Sequence, residues 1–253
     1  MGQSRLETHV QIVGDHCGGE TAAAFPFGVE SRAMSDRTRA RELAAEFIRK
    51  GDPTGWFEAL YKEGEAGQSI VPWADGQMNP HLIEFWRARP QNTVGKSALV
   101  IGCGLGDDAQ QLAEWGYRTT AFDISATAIG NALKRFPESD VEYVVADLLA
   151  PPDEWTQNVD FVLEVYTVQA LPIDLRSTAI ERVASFVKPG GSLLVLARGR
   201  EADEPVGQMP WPLSRAELAE FVRAGLKEES FENYFDDEDP PSRRFRVVYT
   251  RPA

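Results

Sequence analysis

Cysteine is almost missing from this chain: Cys17 and Cys103 are the only two in 253 residues. Two thiols cannot build a disulfide framework, and their spacing fits no zinc-binding pattern. Long apolar runs are missing as well. No segment approaches the roughly 20 residues that span a bilayer, and no basic stretch followed by an apolar one opens the chain. Positive charge is in short supply, with 26 Lys and Arg against 39 Asp and Glu, a formal net charge of −13. A field of that sign repels nucleic acid and anionic membranes, so neither is expected as a partner. The rest is ordinary: 43% hydrophobic and 26% charged residues, in a length that suits one large domain. The expectation is a cytoplasmic globular protein.

The first thirty or so residues show no sustained period and are punctuated by Gly18-Gly19, Ala22-Ala23-Ala24 and Pro26. Residues 1–34 are expected to form a loosely attached extension. Met34 stands before Ser35-Asp36, which reads as a helix cap, and would serve as a natural start. Leu43, Ala44, Phe47 and Ile48 follow at helical spacing. A tryptophan-rich stretch holds Trp56, Phe57, Leu60, Tyr61 and Ile70-Val71-Pro72-Trp73. Asn79-Pro80 reads as an N-cap with proline in the first helical position. It opens a helix with Leu82, Phe85 and Trp86 on one side, ended by Pro90. Residues 35–95 are expected to act as a helical lid over 96–253, the two making a single domain.

From Ser97 the pattern changes. Apolar runs at Ala98–Ile101, Thr119–Phe122, Val141–Val145, Val159–Leu163 and Ser192–Ala197 alternate with helical patterns. The last of these helices before Ser192 ends in Lys188-Pro189-Gly190-Gly191. Continuous apolar strands are buried on both faces, which implies a parallel sheet covered by helices. After a helix over Arg215–Ala224, two alternating runs flank the acidic Asp236–Ser242 and predict a β-hairpin at one edge. The expected fold is α/β: a doubly wound, mostly parallel, seven-stranded Rossmann-like sheet with an antiparallel C-terminal hairpin and a helical N-terminal lid.

In such sheets ligands sit at the carboxyl ends of the strands. Leu99–Asp108, LVIGCGLGDD, is the first strand and the turn after it. The dinucleotide fingerprint would put glycine or alanine at 107, where this chain has Asp107 followed by Asp108. Two carboxylates there would repel a pyrophosphate, and nothing basic nearby is expected to offset them. No Gly-Lys-Ser/Thr occurs, so the turn suits a nucleoside without phosphates. Asp123 ends the second strand about twenty residues on, the spacing at which a carboxylate grips ribose hydroxyls. Asp147-Leu148 ends the third strand, and Glu164-Val165-Tyr166 with Gln169 leaves the fourth. Four such features in order converge on one crevice.

Here the residues resemble a family. From about Ser97 to Ala197 the chain looks like the class I S-adenosylmethionine-dependent methyltransferases. From about Trp56 it is similar to their thiopurine methyltransferase-like branch, through Pro72-Trp73, Asn79-Pro80-His81-Leu82 and Met209-Pro210-Trp211-Pro212-Leu213-Ser214. The resemblance implies methyl transfer from S-adenosylmethionine to a small molecule, with thiol sulfur as the preferred acceptor. It implies that Gly102, Gly104 and Gly106 line the methionine end of the cofactor. Asp123 would bind the ribose, Ile124 pack on the adenine, Asp147 and Leu148 edge that ring, and Glu164 and Val165 lie under the sulfonium. The thiopurine enzymes carry an Asp-Arg pair where this chain has Glu164-Val165, so one arginine contact is missing. Trp73, His81, Tyr166, Gln169 and Trp211 are the candidate acceptor-pocket residues.

No triad emerges, and no catalytic base or metal ligand is assigned. A methyl sulfonium is already activated, so alignment and exclusion of water carry the rate. Cys103 reads as a small buried filler. The acidic Asp236–Asp239 reads as a solvated hairpin tip, and its spacing fails the calcium-loop pattern. Asp107 reads also as the N-cap of its helix. Two rival functions stay open: an NAD(P)-dependent oxidoreductase, which Asp107 and Asp108 disfavour, and a nucleoside-binding module without turnover.

Overall fold

A computed structural model describes residues 29–89 and 92–253. The expected loose extension lies outside the described residues except for its last few, and so does Pro90. Helix α1 runs Val29–Arg49, α2 Gly55–Glu65 and α3 Pro80–Ala88. Ser35-Asp36 therefore falls inside α1 and does not cap it: the helix begins six residues earlier. Asn79 does cap α3, its side chain accepting the His81 N–H at 2.9 Å, with Pro80 in the first turn.

The core alternates β1 Ser97–Ile101, α4 Asp107–Glu114, β2 Arg118–Asp123, α5 Ala126–Arg135, β3 Glu142–Val145, β4 Val159–Val165, α6 Ile173–Phe186 and β5 Val187–Arg200. Lys188–Gly191 enters β5 instead of standing apart as a turn. A two-residue β6, Leu213–Ser214, leads into α7 Arg215–Leu218 and α8 Glu220–Arg223, so the single helix expected over 215–224 is broken at Ala219. β7 Lys227–Phe235 and β8 Arg243–Thr250 close the chain as the antiparallel hairpin.

The sheet runs β3-β2-β1-β4-β5-β8-β7, with β6 beside β5. β1 to β5 are parallel, and the order reverses between β1 and β4. Alternation along β1 splits the core in two. Leu99 and Ile101 join the α6 side with Val183 and Phe186, while Ala98 and Val100 join Leu112 of α4 and Leu82 and Phe85 of α3. That two-sided burial is why the strands read as unbroken apolar runs. β3 is the exception: it is an edge strand, with Glu142 and Val145 exposed.

The N-terminal helices make a third cluster, Leu43, Trp56 and Leu60 with Met209. They are joined to the core by a polar clasp. Glu58 of α2 accepts Ser125 Oγ at 2.6 Å, Thr127 N–H at 3.1 Å and Thr127 Oγ at 2.9 Å. The acceptor thus lies over the positive end of α5, whose first turn Ser125 also caps. These donors hold the Glu58 carboxyl down at about 2, against the cost of its partial burial.

Glu58→Ala is expected to lower stability by about 2 kcal/mol at neutral pH, the size of hydrogen bonds to a charged group. A chain of this length would then melt roughly 4–8 °C lower. A carboxyl with a depressed folded pKa stabilises above its unfolded value and loses that contribution on acidification. The gap between wild type and variant should therefore narrow as pH falls from about 4.5 towards 2, read by unfolding midpoints.

Candidate functional site

The carboxyl ends of β1, β2, β3 and β4 border one cavity of about 380 Å³, roofed by residues from α1, α2 and the segment before α3. β1 delivers the glycine turn to its floor. Gly102 and Gly104 have φ of +58° and +55°, where side chains are strained. Space forbids them too: a Cβ on Gly102 would lie 2.5 Å from Thr167 Oγ, and one on Gly104 2.9 Å from the Tyr61 hydroxyl. Gly106, φ +89°, is the N-cap of α4; it packs against Tyr143 and is not part of the cavity wall. Asp107 is thus the first helical residue and not the cap.

Asp123 reaches back from β2 to this turn. One oxygen accepts the Gly104 N–H at 3.0 Å and the other the Ser125 N–H at 2.9 Å. Burial pushes its carboxyl up to about 6, with the amides opposing and Glu58 adding repulsion. Ile124 lines the wall beside it. Asp147 accepts the Leu149 N–H at 2.8 Å, and Leu148 is buried next to it on the same wall.

The expected clash of Asp107 with anything negative needs correction. Arg135 of α5, distant in sequence, forms a two-pronged pair with Asp107, both contacts at 2.7 Å. Asp108 is turned inward and accepts the Asn79 N–H at 2.8 Å, tying the α3 cap to α4. Burial, and then the negative Asp107 and Asp75, lift Asp108 to about 6. Cys103 lines the cavity partly exposed, its thiol pushed well up by burial and Asp123.

The turn after β4 is held from beneath. Glu164 is fully buried, and its Oε1 accepts Thr167 N–H at 2.7 Å and Val168 N–H at 2.9 Å. Its Oε2 has no partner, and burial pushes the carboxyl up to about 7. It braces the turn and does not line the cavity, whereas Val165 does. The brace holds Tyr166 at φ +59°, a rare conformation for a non-glycine residue. Tyr166, Gln169 and Trp73 all line the wall; Trp73 Nε1 donates to the Tyr61 hydroxyl at 2.8 Å. Gln169 Oε1 accepts the Arg198 N–H at 2.7 Å.

His81 and Trp211 are not brought into the cavity. His81 turns to Glu84 and the Tyr234 ring, its pKa lowered by burial and Arg244. Trp211 packs on the α1–α2 cluster with the Arg176 guanidinium 5.5 Å from its ring, while Met209 and Pro210 face the cavity instead. The acidic hairpin tip is not simply solvated: Asp236 and Glu238 pair with Arg244, and Glu238 also with Arg198. Tyr61, Arg37, Arg198, Arg244 and Glu238 are wall residues that the sequence reading missed. Only the alternation of β5 and β8 could have placed the two strand arginines on one side.

An open sheet in this order, with a glycine turn after its first strand and acids closing the next two, defines the Rossmann-like methyltransferases. Residues 98–191 match the family described as a methyltransferase domain. The chain is similar to the probable thiol methyltransferase 2 of Arabidopsis thaliana, 27% identical over 183 residues, covering 70% of this chain and 75% of that protein. It is similar to the thiopurine S-methyltransferase of Vibrio atlanticus (strain LGP32), 25% identical over 192 residues, with 66% and 86% covered. Among solved structures, one from the conversion of a disulfide bond into a thioacetal group during echinomycin biosynthesis matches at TM-score 0.63. It is 19% identical and covers 78% of this chain and 93% of its own. The magnesium protoporphyrin IX methyltransferase of Synechocystis PCC 6803 with bound S-adenosylhomocysteine matches at TM-score 0.55 and 18% identity, covering 70% and 90%. At those identities the solved structures establish the fold alone. The chain is a class I S-adenosylmethionine-dependent methyltransferase, an enzyme whose cofactor is S-adenosylmethionine. The oxidoreductase reading is set aside on these matches and no longer on Asp107.

A carboxyl whose folded pKa exceeds its unfolded value holds its proton more tightly when folded, so it costs stability as pH rises between the two. For Glu164 that window runs from about 4.5 to about 7. Glu164→Gln keeps an oxygen for both amides but has no such slope. Relative to wild type, the variant should gain ~1–3 kcal/mol between pH 5 and pH 8. Unfolding midpoints at both pH values measure this, and a gap that does not change with pH would contradict it.

Proposed function

We propose that this enzyme methylates a small-molecule acceptor, with thiol sulfur as the reacting atom. One observation carries the small-molecule reading: a single roofed cavity of about 380 Å³ runs from the glycine turn and Asp123 to Tyr166 and Trp73. The sulfur preference is supported by the thiol and thiopurine methyltransferases among the relatives, both below 30% identity.

The residues present fit the cofactor. The floor of the cavity is backbone where a Cβ would intrude, its acids face a ligand that needs no phosphate site, and Arg135 is spent on Asp107. When bound, S-adenosylmethionine supplies a methyl group on sulfonium; the acceptor's lone pair forms the new bond as the carbon–sulfur bond breaks. Gly102 and Gly104 admit the methionine end. Asp123 accepts from the ribose with lone pairs its two amides leave free, Ile124 packs on the adenine, and Asp147 and Leu148 edge it. Val165 borders the reacting centre. Glu164 works through the Tyr166 turn. A thiolate acceptor needs no general base. Residues 35–95 act as the lid that excludes water, with Tyr61 and Trp73 as its inner surface.

A thermal-shift titration with S-adenosylhomocysteine, S-adenosylmethionine, NAD and NADP tests the cofactor site. At a hundred times its dissociation constant, either sulfur nucleoside should stabilise the fold by about 2.7 kcal/mol, raising the melting temperature by several degrees. The dinucleotides should do nothing. Asp123→Ala should weaken S-adenosylhomocysteine at least tenfold in calorimetry, and an unchanged affinity would remove Asp123 from the ribose. Methyl transfer to small thiols, measured beside matched amines and phenols, tests the acceptor atom; a preference for either of the others would refute the sulfur assignment.

A further inference from the structure

One end of the cavity carries charge that holding the cofactor does not require. Arg198 of β5 and Arg244 of β8 are register partners in the antiparallel ladder, so their side chains leave the sheet together. Both line the cavity. Like charges directly opposite one another on neighbouring strands repel. Arg37 of α1 lines the same wall. Burial first, and then the Arg37 and Arg244 charges, depress the pKa of Arg198. In a chain of net charge −13 this is a local reversal of sign.

Two carboxylates answer these three cations. Asp236 is buried against Arg244 Nε and stays with it. Glu238 sits between the opposed arginines, 2.7 Å from Arg244 Nη2 and 3.4 Å from Arg198 Nη2. Glu238 is 46% exposed on the hairpin tip, against 20% for Arg198, and its Oε2 also accepts the Ser242 hydroxyl at 3.0 Å. Among the described residues, the Arg198 guanidinium makes no other side-chain hydrogen bond and Arg37 makes none. Guanidinium groups bind carboxylates through paired, charge-assisted hydrogen bonds, and a buried cation short of partners is costly.

We propose that the acceptor carries a carboxylate, seated between Arg198 and Arg244 with Arg37 beside it, and that Glu238 fills this seat until the acceptor displaces it. The proposal rests on the cavity being the methyl-transfer site. A neutral acceptor has nothing with which to displace Glu238. The carboxylate takes no part in bond making: it enters and leaves as an anion, while the acceptor's other functional group takes the methyl. Tyr166 lies beneath Arg244, with the guanidinium carbon 5.3 Å from its ring, and so separates the anion seat from the reacting end.

The test is calorimetry on full-length protein saturated with S-adenosylhomocysteine, using 4-mercaptobenzoate and 4-methylthiophenol, thiols that differ in the carboxylate. The carboxylate probe is expected to bind at least tenfold tighter. Arg198→Gln should erase that preference. Glu238→Gln, on the exposed tip, should do the reverse, tightening 4-mercaptobenzoate threefold or more and leaving 4-methylthiophenol alone. Effects of opposite sign cannot come from a shared folding defect. Equal affinities, no binding of 4-mercaptobenzoate, or weaker carboxylate binding in both variants would overturn the carboxylate seat. Saturation with S-adenosylhomocysteine is measured first: its failure defeats the cofactor-site reading itself, whereas success there without carboxylate preference defeats only this inference.

Discussion

One buried carboxylate holds the floor of this cavity together. Asp123 ends β2 and clamps the amide of Gly104 on one side and that of Ser125 on the other. A charge taken out of water costs several kcal/mol unless hydrogen bonds replace the lost hydration. Two backbone N–H groups do that here, and in doing so they fix the glycine turn against the first turn of α5. Because the Ser125 hydroxyl also donates a hydrogen bond to Glu58, the clamp continues into the roof. Floor, helix cap and roof are set by two acids in contact with one short segment.

The acids around the cavity are poorly solvated by design of the fold. Asp108, Asp123 and Glu164 lie on three different elements, and burial raises all three, to about 6, 6 and 7. Parallel strands bring their carboxyl ends to one edge, so acids from separate stretches of sequence gather there, Asp108 and Asp123 on the cavity wall and Glu164 beneath the turn after β4.

Much of this was legible in the sequence because it is local. The glycine turn, the acid twenty residues on and the alternating runs of the hairpin each report their own element, and the structure puts all of them at the expected places. What escaped was non-local. Asp107 looked unopposed because Arg135 reaches it across 28 positions. The Asp236–Asp239 run looked solvated because its partners sit on β5 and β8, which no composition reveals. His81 and Trp211 stand in suggestive motifs, but a motif does not say which way a ring turns. Glu164 occupies the right strand end, yet it lies beneath the turn, where one of its oxygens accepts two backbone amides.

The Glu58 clasp has a bearing on how such enzymes could diversify. The roof over the cavity looks separable, since α1 and α2 carry their own small apolar cluster. The clasp makes it less separable than it looks. A roof borrowed from another enzyme would leave the Ser125 and Thr127 hydroxyls and one α5 amide without their acceptor, unless it brought a carboxylate to the same spot. Recombination of parts across that joint is thus constrained by a single side chain.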